Sequence, residues 1–340
     1  MIRRKKSSTS GDTATNMVIK ILGSRGSTPV SQTPRELEQN IKKLFIEFFN
    51  RGYREKSDLA KFFSDVPDHM IGGYGGNTAC LEISGGGQQI IIDAGSGIRS
   101  LGYEMMAGPC GHGQGEVHIL FTHFHWDHVI GLPFFTPIFV PGNKINVYAV
   151  QPELEDVFKV VFKKPYFPVP LEKLGSAIEY HVLEPRKCFN IGNLKITPYK
   201  LDHPDPCWGY KIECGGRTLS YCVDTECTRV THEQLGPDLG LYSGVDLMIF
   251  DAQYTLMETI EKVDWGHAAA SIGLDIAMRE GIKKLVFMHH DPASSNEKIF
   301  EAETQARKYY QSQIKSARRM GLDLNDVEWS FAREGMVIKL

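Results

Sequence analysis

The sequence lacks long apolar runs, paired cysteine motifs and any strong excess of charge of one sign. No stretch is long and apolar enough to span a bilayer, so we predict no membrane association. The formal net charge is −3, so no overall field attracts a nucleic acid or an anionic surface. The seven cysteines include no C-x-x-C pair, which favours a reduced, cytoplasmic protein over a disulfide framework.

The chain divides into a short tail and one long domain. Residues 1–16 are basic and then rich in serine and threonine, without the apolar segment of a secretory signal, and we predict a disordered basic tail. No linker or short repeat divides residues 17–340, which predicts a single domain. Apolar residues at helical spacing predict a helical insertion at about residues 30–72, either a lid or dimer contact or simply core packing.

Short apolar runs between turn residues predict a fold rich in strands. The predicted strands cover residues 17–22, 78–84, 89–93, 117–121, 145–149, 194–199, 210–214, 218–223, 245–251, 285–288 and 335–340. A glycine turn at residues 85–87 joins the second and third of these as a hairpin. Helices are predicted over residues 267–280 and 297–319. Strands in runs, with helices between and after them, favour an α+β fold of two sheets between helices.

One stretch, THFHWDH at residues 122–128, concentrates metal-binding side chains directly after a predicted strand. Histidines two residues apart lie on the same side of an extended chain. Further donors follow other predicted strands in the same way, namely His203, Asp224 and His289. If those strands are neighbours, all these side chains emerge along one edge of the sheets.

The number of donors predicts two metals, because four donors in six residues exceed what one tetrahedral zinc with an open position needs. We predict two ligand groups joined by one bridging carboxylate: His123, His125 and His203; Asp127, His128 and His289; and Asp224 between them. A water held between two cations has a lowered pKa and can attack an electrophile near neutral pH.

Residues 123–128 match the H-x-H-x-D-H signature, and the chain therefore resembles the metallo-β-lactamase fold hydrolases. The resemblance is to their phosphodiesterase branch, which includes ribonuclease Z and cyclic-nucleotide phosphodiesterases. Four further stretches carry it: LGSRGS at 22–27, GGNT at 75–78, GY at 209–210 and GH at 266–267. It implies a four-layer αβ/βα sandwich with a dinuclear site. Zinc is the usual metal, with manganese and cobalt as alternatives.

The resemblance also implies roles for individual residues. Asp127 would orient or deprotonate the attacking water, and His267 would contact the scissile phosphate. Apolar residues typical of a helix follow His267, so its side chain is expected near a helix N-terminus, where anions are favoured. Candidate substrate contacts are Ser24, Arg25, Asn77, Thr78 and His290, with a structural role as the alternative for His290. Candidate base-stacking aromatics, for which core packing is the alternative, are Trp126, Phe134, Phe135 and Trp208.

The predicted function is a metal-dependent phosphodiesterase for a small phosphodiester, above all a cyclic nucleotide. One alternative is a ribonuclease Z-type endonuclease that processes transfer RNA 3′ ends, although we find no glycine- and basic-rich arm. Another is a non-catalytic metal-binding sensor. By analogy with relatives, a homodimer through the inserted helices is a further expectation.

Overall fold

The computed structural model of the chain describes residues 17–322 and 324–340. The predicted disordered tail, residues 1–16, lies outside the described residues. Within these limits the chain forms fourteen strands. They are β1 (Val18–Gly23), β2 (Cys80–Gly85), β3 (Gln88–Ile92), β4 (Glu116–Leu120), β5 (Lys144–Ala149), β6 (Ala177–Val182), β7 (Phe189–Ile191), β8 (Leu194–Lys200), β9 (Trp208–Cys214), β10 (Arg217–Cys222), β11 (Leu247–Asp251), β12 (Lys284–Met288), β13 (Glu328–Phe331) and β14 (Val337–Lys339).

The same described residues form ten α-helices. They are α1 (Pro34–Asn50), α2 (Leu59–Asp65), α3 (Asp68–Ile71), α4 (Ile98–Met105), α5 (Trp126–Val129), α6 (Leu154–Val161), α7 (His232–Leu235), α8 (Leu256–Glu261), α9 (Ala270–Glu280) and α10 (Asn296–Arg319). None of the helices within residues 17–322 and 324–340 combines the length and the hydropathy that a bilayer span requires.

The strands form two mixed sheets of seven strands each. Their orders are β14-β1-β2-β3-β4-β5-β6 and β13-β12-β11-β10-β9-β8-β7. The predicted hairpin is confirmed, because β2 and β3 pair antiparallel with Gly85 opposite Gln88. Its two turn residues, Gly86 and Gly87, both have positive φ, at 58° and 80°. Such a turn favours glycine at both positions.

The two sheets pack face to face with helices on both outer sides. Between the sheets, Ile19 and Leu81 of the first meet Ile249 and Met288 of the second in a fully buried core. On the outer side of the second sheet lie α9 and α10, and α4 and α6 cover the first. This arrangement confirms the predicted αβ/βα sandwich, and it follows from the need of each sheet to bury both faces.

Sequence patterns missed three of the four strands at the sheet edges, and only β14 was predicted. Strands β6, β7 and β13 were not predicted. The residues of β6 alternate only between exposed and partly buried, so they lack the apolar alternation of a half-buried strand. Strand β7 has three residues, too few for any period to show.

The predicted insertion forms helices α1 to α3, which stand apart from the main cores. Phe48, Phe62 and Val66 make a small buried cluster of their own. Other apolar side chains of α1 face solvent, including Phe45 and Ile46. Of the alternatives for this insertion, core packing therefore describes the cluster of Phe48, Phe62 and Val66 but not the exposed side chains of α1.

Candidate metal centre

Strand direction brings the predicted donors to one edge. Strands β8 and β10 both run antiparallel to β9, and β11 and β12 run parallel to β10. Their carboxyl ends therefore point the same way, and His203, Asp224 and His289 follow these ends. In the other sheet, β3 and β4 are parallel, and the H-x-H-x-D-H stretch follows β4. The donors of both sheets thus meet at one edge of the sandwich.

Three residues at this edge have a left-handed backbone conformation. Asp93, Asp224 and His289 have φ angles of 60°, 65° and 69°, in the left-handed region. This region is uncommon for residues other than glycine, and aspartate and histidine are among those that enter it most readily. Left-handed backbone at non-glycine residues concentrates at functional sites, where the surrounding structure sustains its cost.

The structure brings all seven predicted ligands into one cluster. Donor atoms within 4.8 Å of one another form overlapping groups: His123, His125 and His203; Asp127, His128 and His289; His123, His128 and Asp224; and Asp224, Asp251, His267 and His289. Asp224 is grouped with His123 and His128 and, in a second group, with Asp251, His267 and His289, so it lies close to donors of both predicted ligand sets. This position matches the one predicted for a bridging carboxylate.

Several buried donor atoms in the cluster lack hydrogen-bond partners, which tests whether the site suits a metal. These atoms are His123 Nε2, His128 Nε2, His203 Nε2 and Asp224 Oδ2. His128 Nε2 lies 2.9 Å from Asp224 Oδ2 but without hydrogen-bond geometry. A buried polar atom without a partner is costly, and coordination to a cation removes that cost. Imidazole and carboxylate donors of this kind fit zinc or a similar divalent ion.

The opposite ring nitrogens of three histidines are held by neighbouring groups. His128 Nδ1 lies 2.8 Å from Asp93 Oδ2, and His289 Nδ1 lies 2.8 Å from Gln253 Oε1. His123 Nδ1 is 3.0 Å from the Thr122 hydroxyl. Such partners fix the ring orientation and direct Nε2 into the cluster.

Burial and neighbouring charges shift the pKa values of the side chains in the cluster in different directions. Burial lowers the pKa of His123 well below its usual value. Burial alone would also lower the pKa of His128, but the carboxylates of Asp224, Asp127 and Asp93 outweigh burial and raise that pKa. The facing histidines, in turn, hold the pKa of Asp224 well below its ordinary value despite burial. The carboxylate of Asp224 is therefore ionised at neutral pH.

The loop after β1 supports the cluster from outside. The Ser27 N–H donates a 2.7 Å hydrogen bond to Asp127 Oδ2. A Cβ at Gly26 would overlap the imidazole of His289, so only glycine permits this close approach. Other N–H groups of this loop also serve the protein's own contacts, because that of Arg25 donates to the Asn77 carbonyl and that of Gly26 to the His290 carbonyl.

The structure does not bring the five candidate substrate contacts into the cluster. Ser24 donates its hydroxyl hydrogen bond to the Tyr74 carbonyl, and Arg25 donates to the Gly75 carbonyl. His290 is buried, with Nε2 2.8 Å from the Ala332 carbonyl. Asn77 contacts Glu334, and the Thr78 hydroxyl accepts from the Ser96 N–H. Hydrogen bonds of these polar atoms join β1, β2 and the segment after β12, so these side chains have a structural role.

Sequence reasoning missed Asp251, which ends β11 and is fully buried. Its Oδ2 lies 2.9 Å from Nδ1 of His267, and its Oδ1 accepts from the Ala268 N–H. The signal was present, since Asp251 ends an apolar strand just as the other donors follow theirs. His267 lies two residues before the N-cap of α9, close to the predicted helix start.

Comparison with known proteins agrees with this geometry. Residues 88–290 match the family model described as the Beta-lactamase superfamily domain. The chain belongs to the beta-lactamase superfamily. Within it, the two sheets between helices and the donor-rich edge identify a metallo-β-lactamase fold hydrolase, which depends on divalent metal.

Named relatives and solved structures align with most of this chain. A ribonuclease Z of Clostridium acetobutylicum is 26% identical over 279 residues, covering 66% of this chain and 86% of the relative. The metallo-beta-lactamase fold protein YhfI of Bacillus subtilis superposes with a TM-score of 0.60 at 14% identity, over 96% of this chain and 99% of YhfI. Yeast PDE1 superposes with a TM-score of 0.58 at 14% identity, over 95% and 99% of the two chains. At such identities the superpositions show the fold alone.

Proposed function

We propose that this hydrolase cleaves phosphodiester bonds and that its substrate is a small nucleotide, above all a cyclic nucleotide. The observation that supports the proposal most strongly is the convergence of the predicted donors on Asp224, which lies within 4.8 Å of donor atoms from both predicted ligand groups. Two divalent cations, zinc in the first instance, would be held there and would polarise the phosphoryl oxygen and lower the pKa of a water. Paired cations are typical of enzymes that act on phosphate esters.

Asp127 would orient the attacking water. Its Oδ2 is within 3.1 Å of His289 Nε2 and 2.7 Å of the Ser27 N–H. Although burial opposes ionisation, the neighbouring His128 and His289 keep the pKa of Asp127 well below its usual value. A carboxylate held this firmly in its ionised form accepts a hydrogen bond from water and so sets the direction of attack.

His267 would act at the leaving oxygen. Its Nδ1 is engaged by Asp251, so the Nε2 atom is available for a substrate oxygen. A histidine oriented by a buried carboxylate can stabilise or protonate charge that develops on a departing group.

A transfer-RNA 3′ endonuclease is the second candidate, favoured by the 26% identity to a ribonuclease Z. The surroundings of the cluster favour a small substrate instead. The charged groups beside its exposed ligands include Asp205, 2.8 Å from His125, and Glu226, which accepts from the Gly266 N–H. Carboxylates at this edge repel a polyanionic backbone. The insertion, moreover, is helical and presents exposed phenylalanines.

The decisive experiment is a hydrolysis screen with added zinc, manganese or cobalt. Substrates are cyclic mononucleotides, cyclic dinucleotides, precursor transfer RNA and the general substrate bis(p-nitrophenyl) phosphate. We expect turnover of a cyclic nucleotide, and we expect Asp224→Asn to lower kcat/KM by at least about a thousandfold with loss of bound metal. Asp205→Asn is the matched control and should retain both. Turnover of precursor transfer RNA alone would identify the second candidate.

A further inference from the structure

Two strongly exposed tryptophans lie beside the more exposed ligands of the cluster. Trp126 follows His125 directly and is 63% exposed, and Trp265 is 62% exposed. Tryptophan side chains are large and usually well buried, so two exposed rings next to the candidate metal centre indicate a binding surface. Trp126 was considered from sequence as a stacking residue, but Trp265 was not.

Trp265 is held next to the cluster by its neighbour in the chain. Gly266 has φ of 86°, and a Cβ there would overlap the imidazole of His203. Glycine at this position therefore lets the backbone touch a candidate ligand. Trp265 is one Cα–Cα step away, about 3.8 Å. Its own N–H donates to the Lys262 carbonyl, which ties it to the end of α8.

A row of rings and one cation leads from the cluster to Trp265. The ring of Tyr254 meets that of His267 edge-on, with centroids 5.5 Å apart. Lys262 Nζ lies 3.9 Å from the centroid of Tyr254 and 5.7 Å from that of Trp265. The ammonium group is thus near two aromatic faces, an arrangement that stabilises both rings through cation–π attraction. The exposed Trp265 ring thus lies near Lys262, in the residue next to Gly266, whose backbone packs against His203.

We propose that Trp265, supported by Lys262 and Tyr254, forms a subsite that stacks the base of a nucleotide whose phosphate lies at the metal cluster. The proposal rests on the proposed phosphodiesterase function and names the part of the substrate that the cluster itself does not recognise. Every nucleobase has a flat π face, so any of the bases can stack on tryptophan. Helix α8, which precedes Trp265 in the chain, also has exposed apolar side chains at Met257 and Ile260.

The subsite predicts selectivity for ligands that carry a base. In the metal-loaded protein, we expect adenosine 5′-monophosphate to bind at least about tenfold more tightly than ribose 5-phosphate, as measured by isothermal titration calorimetry. The variant Trp265→Ala should lose about this factor for the nucleotide and nothing for the sugar phosphate. Trp265→Phe should retain most of the preference, because phenylalanine still stacks.

The control is Tyr103→Ala, which removes another exposed aromatic side chain, on helix α4, where its ring contacts Arg99. It should leave both affinities unchanged. Equal affinities of the wild-type protein for the two ligands would overturn the subsite, as would an unchanged preference in Trp265→Ala. Metal content and thermal midpoint of each variant, measured in parallel, show whether the fold and the cluster are intact.

A second arm of the experiment distinguishes the source of the base. A trinucleotide with the sequence of a mature transfer RNA end is titrated alongside the mononucleotide. Loss of mononucleotide affinity in Trp265→Ala supports the proposed subsite for small nucleotides, and loss confined to the trinucleotide overturns it in favour of contact with an RNA end. Hydrolysis of bis(p-nitrophenyl) phosphate by the wild-type protein reports the proposed function separately, so its failure is distinguishable from failure of the subsite.

Discussion

The two halves of the candidate metal centre differ in their burial and in the charged groups that surround their histidines. The histidine half, His123, His125 and His203, contains no carboxylate and reaches the surface at His125. The carboxylate half, Asp127, His128, Asp224 and His289, is almost completely buried. In the carboxylate half each imidazole faces carboxylates, whereas in the histidine half the rings face one another. One half of the centre is thus held together by charge pairing and the other mainly by packing.

The largest expected difference between the halves is in the stability of the metal-free protein. His128 is buried among Asp93, Asp127 and Asp224, at nitrogen–oxygen distances of 2.8, 3.3 and 2.9 Å. His128→Ala leaves these carboxylates without their cation, which should lower the free energy of unfolding by roughly 3–5 kcal/mol. His125→Ala, the matched change in the histidine half, removes a solvent-exposed pair and should cost less than about 1 kcal/mol. Urea unfolding of both proteins measures this, and equal losses would refute the division.

A smaller effect should appear in metal affinity. Asp93 accepts directly from His128 Nδ1 in the carboxylate half, and it reaches the histidine half only through the Thr122 hydroxyl, which contacts His123 Nδ1. Asp93→Asn should weaken binding of one metal roughly 10–100-fold and affect the other much less. Competition with a chelator, read by metal content, resolves the two events. Asp205→Asn, which alters a carboxylate beside His125, is the control. If it weakened binding as much as Asp93→Asn, a specific role for Asp93 would be wrong.

The smallest expected effect concerns helix α8, which precedes Gly266, the residue whose backbone packs against His203 of the histidine half. Glu258 closes the N-terminal capping box of α8 with Thr255 and pairs with Lys298 at 2.7 Å. Although burial opposes it, these contacts lower the pKa of Glu258 from 4.5 to about 2. A lowered folded-state pKa contributes stability that is present above pH 4.5 and lost as the pH falls towards 2.

Glu258→Gln should therefore cost roughly 1 kcal/mol of unfolding free energy at pH 7 and less as the pH falls below 4.5. Thermal unfolding across pH 3–7 measures the difference from the wild-type protein. The exposed Glu261, on the same helix, supplies the control, since Glu261→Gln should show no such dependence. A pH-independent difference for Glu258→Gln would contradict the assigned cause.

Much of the fold could be read from local pattern. The buried strands β4, β11 and β12 were predicted within one or two residues at each end, because a short apolar run bounded by polar residues has few other interpretations. The edge strands β6 and β7 could not be predicted, because their residues are half exposed and their pairing depends on partners distant in the chain. The single-domain prediction for residues 17–340 stays a prediction.

In the candidate site, too, some roles could not be predicted from the sequence pattern. His289 and His290 are adjacent in the chain, yet His289 Nε2 lies 3.1 Å from Asp127 and His290 stacks on Phe331. Burial without a facing carboxylate lowers the pKa of His290 to about 3, whereas carboxylates raise that of His289 to about 9 despite burial. Spacing alone cannot separate two such neighbours, because the direction of each ring depends on the packing around it.

By itself, the sequence determined which donors were available and that each follows an apolar strand, since chemical type and local burial pattern are properties of the chain. The tertiary structure decided which donors meet, since strands β4, β8, β10 and β12 come from two sheets and only the packing of those sheets brings their ends together. It also decided the neighbours of each side chain. Asp251 joined the cluster in this way, and Ser24, Arg25 and His290 were drawn into structural contacts, because a polar group that folding buries must find a partner there.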